Sequence, residues 1–430
     1  MNGRKWILTV LSLALVLMLA ACGGNSPNTN QGNAPETLAP TSGDEEESEL
    51  FPEPGAKLVV WESKEQLAYM NALAQAFEER YGVPVTIEEL AGGDQGARLA
   101  TDGPSKLAAD VLTLPHDQIG QAIKAGLLLP NDVFELETRS SMMEAAITAS
   151  SMDGVLYGYP KSVETYALFY NKDIFPNAPP ATWEEIVQFA STYNDPAQNK
   201  YTIMWEFVGY YSYPFIGSYN GYIFGDNNTN PQDLGLNKGD VVQGFEYMKT
   251  LKSILPMNAG DVSYDVKTQL FGEGKLALNI DGPWSVSAFK DVVNFGVAPL
   301  PKFPNGSEGY SFSGVKSYYV NSYTAYPIAA RLFSNFASNK ENQLKNYEMT
   351  GAIPANIEAG KDPIINDDPV TSGFFKQFEF SVPMPSIAGM NAVWDPLKAA
   401  FMTIWDDPNS DVKAILDNMV DTIEQGIVSQ

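Results

Sequence analysis

Residues 57–90 hold two short apolar runs around one amphipathic segment, and this arrangement commits the chain to a parallel sheet. "KLVVW" (57–61) has the length and β-branched content of a buried strand. Leu67, Met70, Leu73, Phe77 and Tyr81 then recur at helical spacing, and Gly82 supplies the stop. Ser63 and Gln66 match a capping box at the start of that helix. "VPVTIEEL" (83–90) reads as the next strand, which completes a βαβ unit with helices covering the sheet. "ADVLTLP" (109–115) gives a further strand, followed by a helix through "QAIKAG" (121–126). A second region starts at "LFYNKDIF" (168–175). In it Thr182 and Glu185 form a capping box before "WEEIVQFASTY" (183–193), and Val241, Val242, Phe245, Met248 and Leu251 mark another helix. "KLALNI" (275–280) is a strand ended by "DGP" (281–283), and the last hundred residues read as mainly helical. The fold class is therefore α/β, without internal repeats.

The N-terminal stretch is of another kind. Arg4 and Lys5 precede an apolar run (7–21) that is short for a membrane span and ends in small residues before Cys22. "LAAC" (19–22) resembles the lipobox of bacterial lipoproteins. That resemblance implies a signal peptide over 1–21, removed before Cys22, and a diacylglycerol on its sulfur that anchors the chain to the outer face of the cell membrane. Residues 22–55 read as a disordered linker, rich in Gly, Asn, Pro, Thr and Ser and then acidic in "GDEEESE" (43–49).

Composition removes several function classes. With 52 acidic against 27 basic residues and a formal charge of -25, the chain lacks the cationic clusters that a nucleic-acid partner needs. A single cysteine allows no internal disulfide, and a single histidine, His116, leaves no multi-histidine zinc site. No P-loop or GxGxxG pattern occurs, and the calcium-like "DNNTNP" (226–231) has proline where a glycine is needed. No cofactor and no metal are expected.

"GYPKSVETYALFYNKDIFPNAPPATWEEI" (158–186) resembles the family-1 extracellular solute-binding proteins, and more narrowly the maltose/maltodextrin-binding proteins of ABC importers. "FGEGKLALNIDGPW" (271–284), "FGVAPLP" (295–301), "GAIPA" (351–355) and "AVWDPLKAAF" (392–401) follow in that family's order. The resemblance implies a two-lobed, periplasmic-binding-protein-like (type II) fold with hinge crossovers and a central ligand cleft. It places lobe 1 at 56–163 plus 302–346 and lobe 2 at 164–301 plus 347–430, with crossings near 162–167, 301–304 and 346–351. It also implies a monomer that binds an oligosaccharide by lobe closure and delivers it to ABC permease subunits, without catalysis.

Sugar hydroxyls need fixed donors and acceptors, and sugar ring faces lie on flat aromatics. By family position the ligand-contacting set is Trp61, Ser63, Glu65, Asp117, Glu164, Tyr210, Tyr211, Tyr213, Trp284 and Trp394. Trp183 and Trp405 sit in helical patterns and read as core; Trp61, at a strand end, reads equally as lining or core. The chain departs from the maltose pattern at several points. Residues 63–66 are "SKEQ" where close maltose binders carry Asn-Gly-Asp-Lys, Leu114 stands in place of a tryptophan, residues 208–210 are "VGY" in place of Glu-Pro-Tyr, and Asp395 and Lys398 replace an aromatic and an arginine. These leave the glucan's length and form open. The alternatives are the same fold with another oligosaccharide or a polyol, or a secreted glycosidase with two carboxylates flanking a bond.

Overall fold

The computed structural model describes residues 50–429. The signal peptide, Cys22 and the linker up to residue 49 lie outside the described residues. The linker's expected end at 55 does not hold. The Glu53 carboxylate accepts the N–H groups of Ile328 and Ala329, and Leu50 packs on the first core, so residues 50–55 already belong to the folded body.

The first sheet is built from β1 (Leu58–Glu62), β2 (Val85–Glu89), β3 (Val111–Pro115), β4 (Tyr159–Thr165), β9 (Ser311–Asn321), β10 (Ile353–Pro354) and β11 (Ser381–Pro383), with Leu128–Leu129 paired to the end of β9. Its order is β10-β4-β9-β3-β1-β2, and β11 pairs with the start of β9. β1 runs parallel to β2 and β3, as the βαβ reading requires, while β9 runs antiparallel to β3 and β4. The helix α1 (Leu67–Tyr81) covers this sheet with Tyr69, Met70, Leu73 and Phe77, and Gly82 ends it at φ 68°. The Ser63–Gln66 capping box does not form. The Ser63 hydroxyl accepts the Gly92 N–H at 3.1 Å instead, which ties β1 to the start of α2 (Gly92–Asp102).

The second sheet holds β5 (Ala167–Asn171), β6 (Tyr201–Met204), β7 (Leu276–Asp281) and β8 (Phe295–Ala298), in the order β8-β5-β7-β6. Here the capping box of α3 (Trp183–Tyr193) is complete: Thr182 accepts from Glu185 N–H and the Glu185 carboxylate accepts from Thr182 N–H. Trp183 is buried against Trp205 and Phe303, and Trp405 against Trp205 and Phe207. Also on this lobe are α4 (Gly239–Thr250), α5 (Tyr264–Gly272), α8 (Pro369–Phe378), α9 (Trp394–Asp406) and α10 (Val412–Val428); α6 (Pro327–Ser338) and α7 (Lys340–Thr350) join the first lobe.

The chain passes between the sheets several times. Tyr166, fully buried, is the only residue between β4 and β5. The return runs from β8 to β9. β10 still pairs with Val163 and Ser162 of the first sheet, α8 then packs on β8, β11 returns to β9, and α9 lies again on the second lobe.

Candidate functional site

In open α/β sheets the carboxyl ends of strands face the crevice where ligands bind. Here the turns after β1 and β3 on one sheet, and after β6 and β7 on the other, face a shared cleft of about 590 Å³. That volume suits a small ligand.

The first-lobe wall is polar. His116 and Asp117 sit in the helical turn that follows β3. The His116 ring is buried; Nε2 donates to the Met384 carbonyl (2.9 Å) and Nδ1 accepts the Val315 N–H (3.2 Å). Burial lowers its pKa to about 4 against both bonds, so it stays neutral near pH 7 and pins the turn between two crossing segments. Asp117 is 5% exposed. Its Oδ2 accepts the indole N–H of Trp394 at 3.0 Å, while Oδ1 has no partner among the described residues. Beside it the Glu164 carboxylate, on β4, lies 3.3 Å from the Lys316 ammonium on β9. Burial alone would pull the Lys316 amine down; Glu164, Glu65 and Glu62 together outweigh it and hold the amine above its ordinary value. Gln118 donates to the Gly93 carbonyl and keeps a buried Oε1 without a partner among the described residues.

The second-lobe wall is aromatic. Trp284 follows β7, and its ring lies so close over Gly282 that a Cβ there would meet it at 2.1 Å. Tyr210 stands 6.3 Å from Trp284, centroid to centroid, with a buried hydroxyl that has no partner among the described residues. Tyr211 bonds to Asp281 at 3.3 Å. Trp394 opens α9 and packs over Gly209.

Seven of the ten candidates meet here: Glu65, Asp117, Glu164, Tyr210, Tyr211, Trp284 and Trp394 line the cleft. Trp61, Ser63 and Tyr213 do not. Trp61 is 3% exposed, and its indole N–H goes to Glu88. Ser63 is spent on Gly92. Tyr213 is 3% exposed and stacked on Phe312 at 4.0 Å, so its ring is spent in the core behind the wall. Glu206, Tyr264, Gln118 and Lys316 line the cleft and were missed. Glu206 follows the end of β6, so the strand-end rule alone would have found it. Among the described residues, no group of three or more His, Cys, Asp and Glu side chains is placed to hold a metal, and no helix is long and apolar enough to cross a membrane.

Burial raises the Asp117 pKa from 3.8 to about 6; the Trp394 bond opposes this, and the Glu164 charge adds to it. Above about pH 6 the folded chain therefore carries a desolvated charge that the unfolded chain leaves in water, and the group opposes folding. Below the unfolded value it is neutral in both states and the penalty vanishes. Asp117→Asn is expected to stabilise the ligand-free protein at pH 7 by roughly 1–3 kcal/mol, with the gain lost toward pH 4. Thermal melts at both pH values check this; an equal gain at each would contradict it.

The family model for bacterial extracellular solute-binding proteins matches residues 72–371. A galactooligosaccharide-binding protein of Bacillus subtilis is 34% identical over 428 residues, covering 98% of this chain and 96% of that protein. A maltooligosaccharide ABC transporter solute-binding lipoprotein of Streptococcus pneumoniae is 32% identical, covering 80% of this chain and 82% of its own. The structure of a Thermus thermophilus maltotriose-binding protein with bound maltotriose superposes with a TM-score of 0.81 at 28% identity, over 86% of this chain and 100% of that one. The two-lobed type II architecture is thus shared with solved sugar-binding proteins.

Proposed function

This chain belongs to the bacterial extracellular solute-binding proteins, and we propose that its cleft binds a maltodextrin-type oligosaccharide for an ABC importer, without turnover. One observation carries the reading: flat aromatic faces on one lobe oppose buried polar atoms that lack partners among the described residues, Asp117 Oδ1 and Gln118 Oε1, on the other. Such a pair of walls fits the two surfaces of a neutral sugar, and a ligand touching both favours the closed arrangement of the lobes. The relatives named for maltooligosaccharide and maltotriose support the same ligand class. A galactooligosaccharide is the second reading, favoured by the relative that matches 98% of the chain.

Thermal melts against maltotriose, maltotetraose, a galactotriose and a polyol test this, because a ligand of the folded state stabilises it by RT ln(1 + [L]/Kd). A shift with maltodextrins supports the first reading and a shift with the galactan the second. Release of smaller sugars on incubation would make the protein a glycosidase.

The proposal extends to the membrane. Cys22 follows a signal-like run, and the pneumococcal relative is named a lipoprotein. Diacylated Cys22 would hold a monomeric binding protein on the extracellular face, next to permease subunits. Cys22→Ala is expected to move the protein from the membrane fraction to the medium; a processed variant that stays membrane-bound would sink the anchor.

A further inference from the structure

Behind the aromatic wall lies an ionic cluster that none of the sequence motifs pointed to. Lys267, on α5, is fully buried and does not line the cleft. Its ammonium contacts Asp281 Oδ2 at 2.5 Å, the Ile280 carbonyl at 3.0 Å and Glu206 Oε2 at 3.3 Å. Asp281 is saturated: Oδ1 accepts from Gly282 N–H and the Tyr211 hydroxyl, and Oδ2 from Lys267 and Asn279. Glu206 is different. Its side chain is 20% exposed and lines the cleft beside Tyr211 and Tyr264. Lys267 also lies 5.0 Å from the Tyr211 ring centroid and 5.7 Å from that of Tyr264. One buried cation thus sits behind three cleft-lining side chains.

Burying an ammonium is expensive, and Asp281 alone already neutralises it. A second carboxylate on the same lysine adds a net negative charge to a desolvated site. That burden makes sense if Glu206 is held for something in the cleft.

We propose that Glu206 is the hydroxyl acceptor on the second-lobe wall and that Lys267 is the positioning residue that aims it. The inference rests on the oligosaccharide reading above. Glu206 then faces the ligand from the lobe opposite Asp117 and Glu164, so a bound sugar is gripped by carboxylates from both sides. Burial pushes the Glu206 carboxyl up, the Lys267 charge pulls it back, and Asp281 and Asp265 add to the rise. The tyrosines 211 and 264 are its other titratable neighbours.

Calorimetric titration of the parent, Glu206→Gln and Lys267→Met with the sugar that shifts the parent's melt tests the idea between pH 6 and 9. Glu206→Gln is expected to weaken binding about five- to fiftyfold while the ligand-free melting temperature stays the same or rises. Lys267→Met is expected to bind weakly at pH 6 and recover toward pH 9, as an unassisted Glu206 ionises, while the parent stays nearly flat. Should Lys267→Met fail to fold, Glu206→Gln decides alone. A parent that binds sugar and a Glu206→Gln that binds as tightly would overturn the inference while leaving the functional reading in place. A flat, parent-like Lys267→Met would remove the positioning role. A parent that binds no sugar overturns both.

Discussion

Trp284→Ala and Trp394→Ala should each lower sugar affinity about ten- to a hundredfold. A tryptophan platform buries on the order of 150–250 Å², and only part of that meets a ligand, which leaves about 1.5–3 kcal/mol per ring. The two variants should differ in kind. Trp284 also carries the Lys316 ammonium 5.5 Å from its ring centroid, so its loss removes a cation–π partner from the opposite wall. Trp394 does two jobs: it offers a face, and its N–H holds Asp117 at 3.0 Å across the cleft. Trp394→Phe separates them. If stacking dominates, the phenyl ring retains most of the affinity; if the bond to Asp117 dominates, it falls nearly as far as alanine. Calorimetry on these variants reads the outcome directly. Parent-like binding by both alanine variants would mean that these rings only pack.

Lys161→Met should destabilise the fold by about 3–5 kcal/mol. Lys161, on β4, and Glu62, at the end of β1, are each 2% exposed and paired beneath the first-lobe wall. Glu62 also accepts the Thr113 hydroxyl at 3.0 Å and the Ser63 N–H at 2.9 Å. Burial pulls the Lys161 amine down, while the Glu62 charge and hydrogen bond oppose this. Removing the cation alone strands a buried carboxylate. Glu62→Gln together with Lys161→Met removes both charges and keeps the acceptor, so the double variant should recover most of the loss. Denaturant titrations of single and double variants check this. If the double loses as much as the single, the cost lies in Lys161's packing.

These two sites show what could be read from the residues. The βαβ unit was legible because a period of 3.6 lay between two β-branched runs, and local pattern dictates such elements. Asp117, Trp284 and Trp394 were named through the family resemblance, and their places after strand ends or turn signals agreed with it. The short helix holding Tyr210 and Tyr211 was not, since four residues are too few to show a period, and Tyr213 was misread with it. The Ser63 capping box failed because a tertiary partner, the Gly92 N–H, competed for the hydroxyl. Lys316 and the Glu206–Lys267–Asp281 cluster join residues far apart in sequence, and no local signal encodes that meeting.

The central claim is that both walls grip one neutral oligosaccharide. Isothermal titration of the ligand-free protein with maltotriose and maltotetraose, followed by chromatography of the recovered sugar, tests it most directly. The expected result is saturable one-to-one binding with Kd of about 1 μM or tighter, near −8 kcal/mol, with the sugar returned intact. No heat and no saturation with these or any galactooligosaccharide, or recovery of cleaved sugar, would contradict the account.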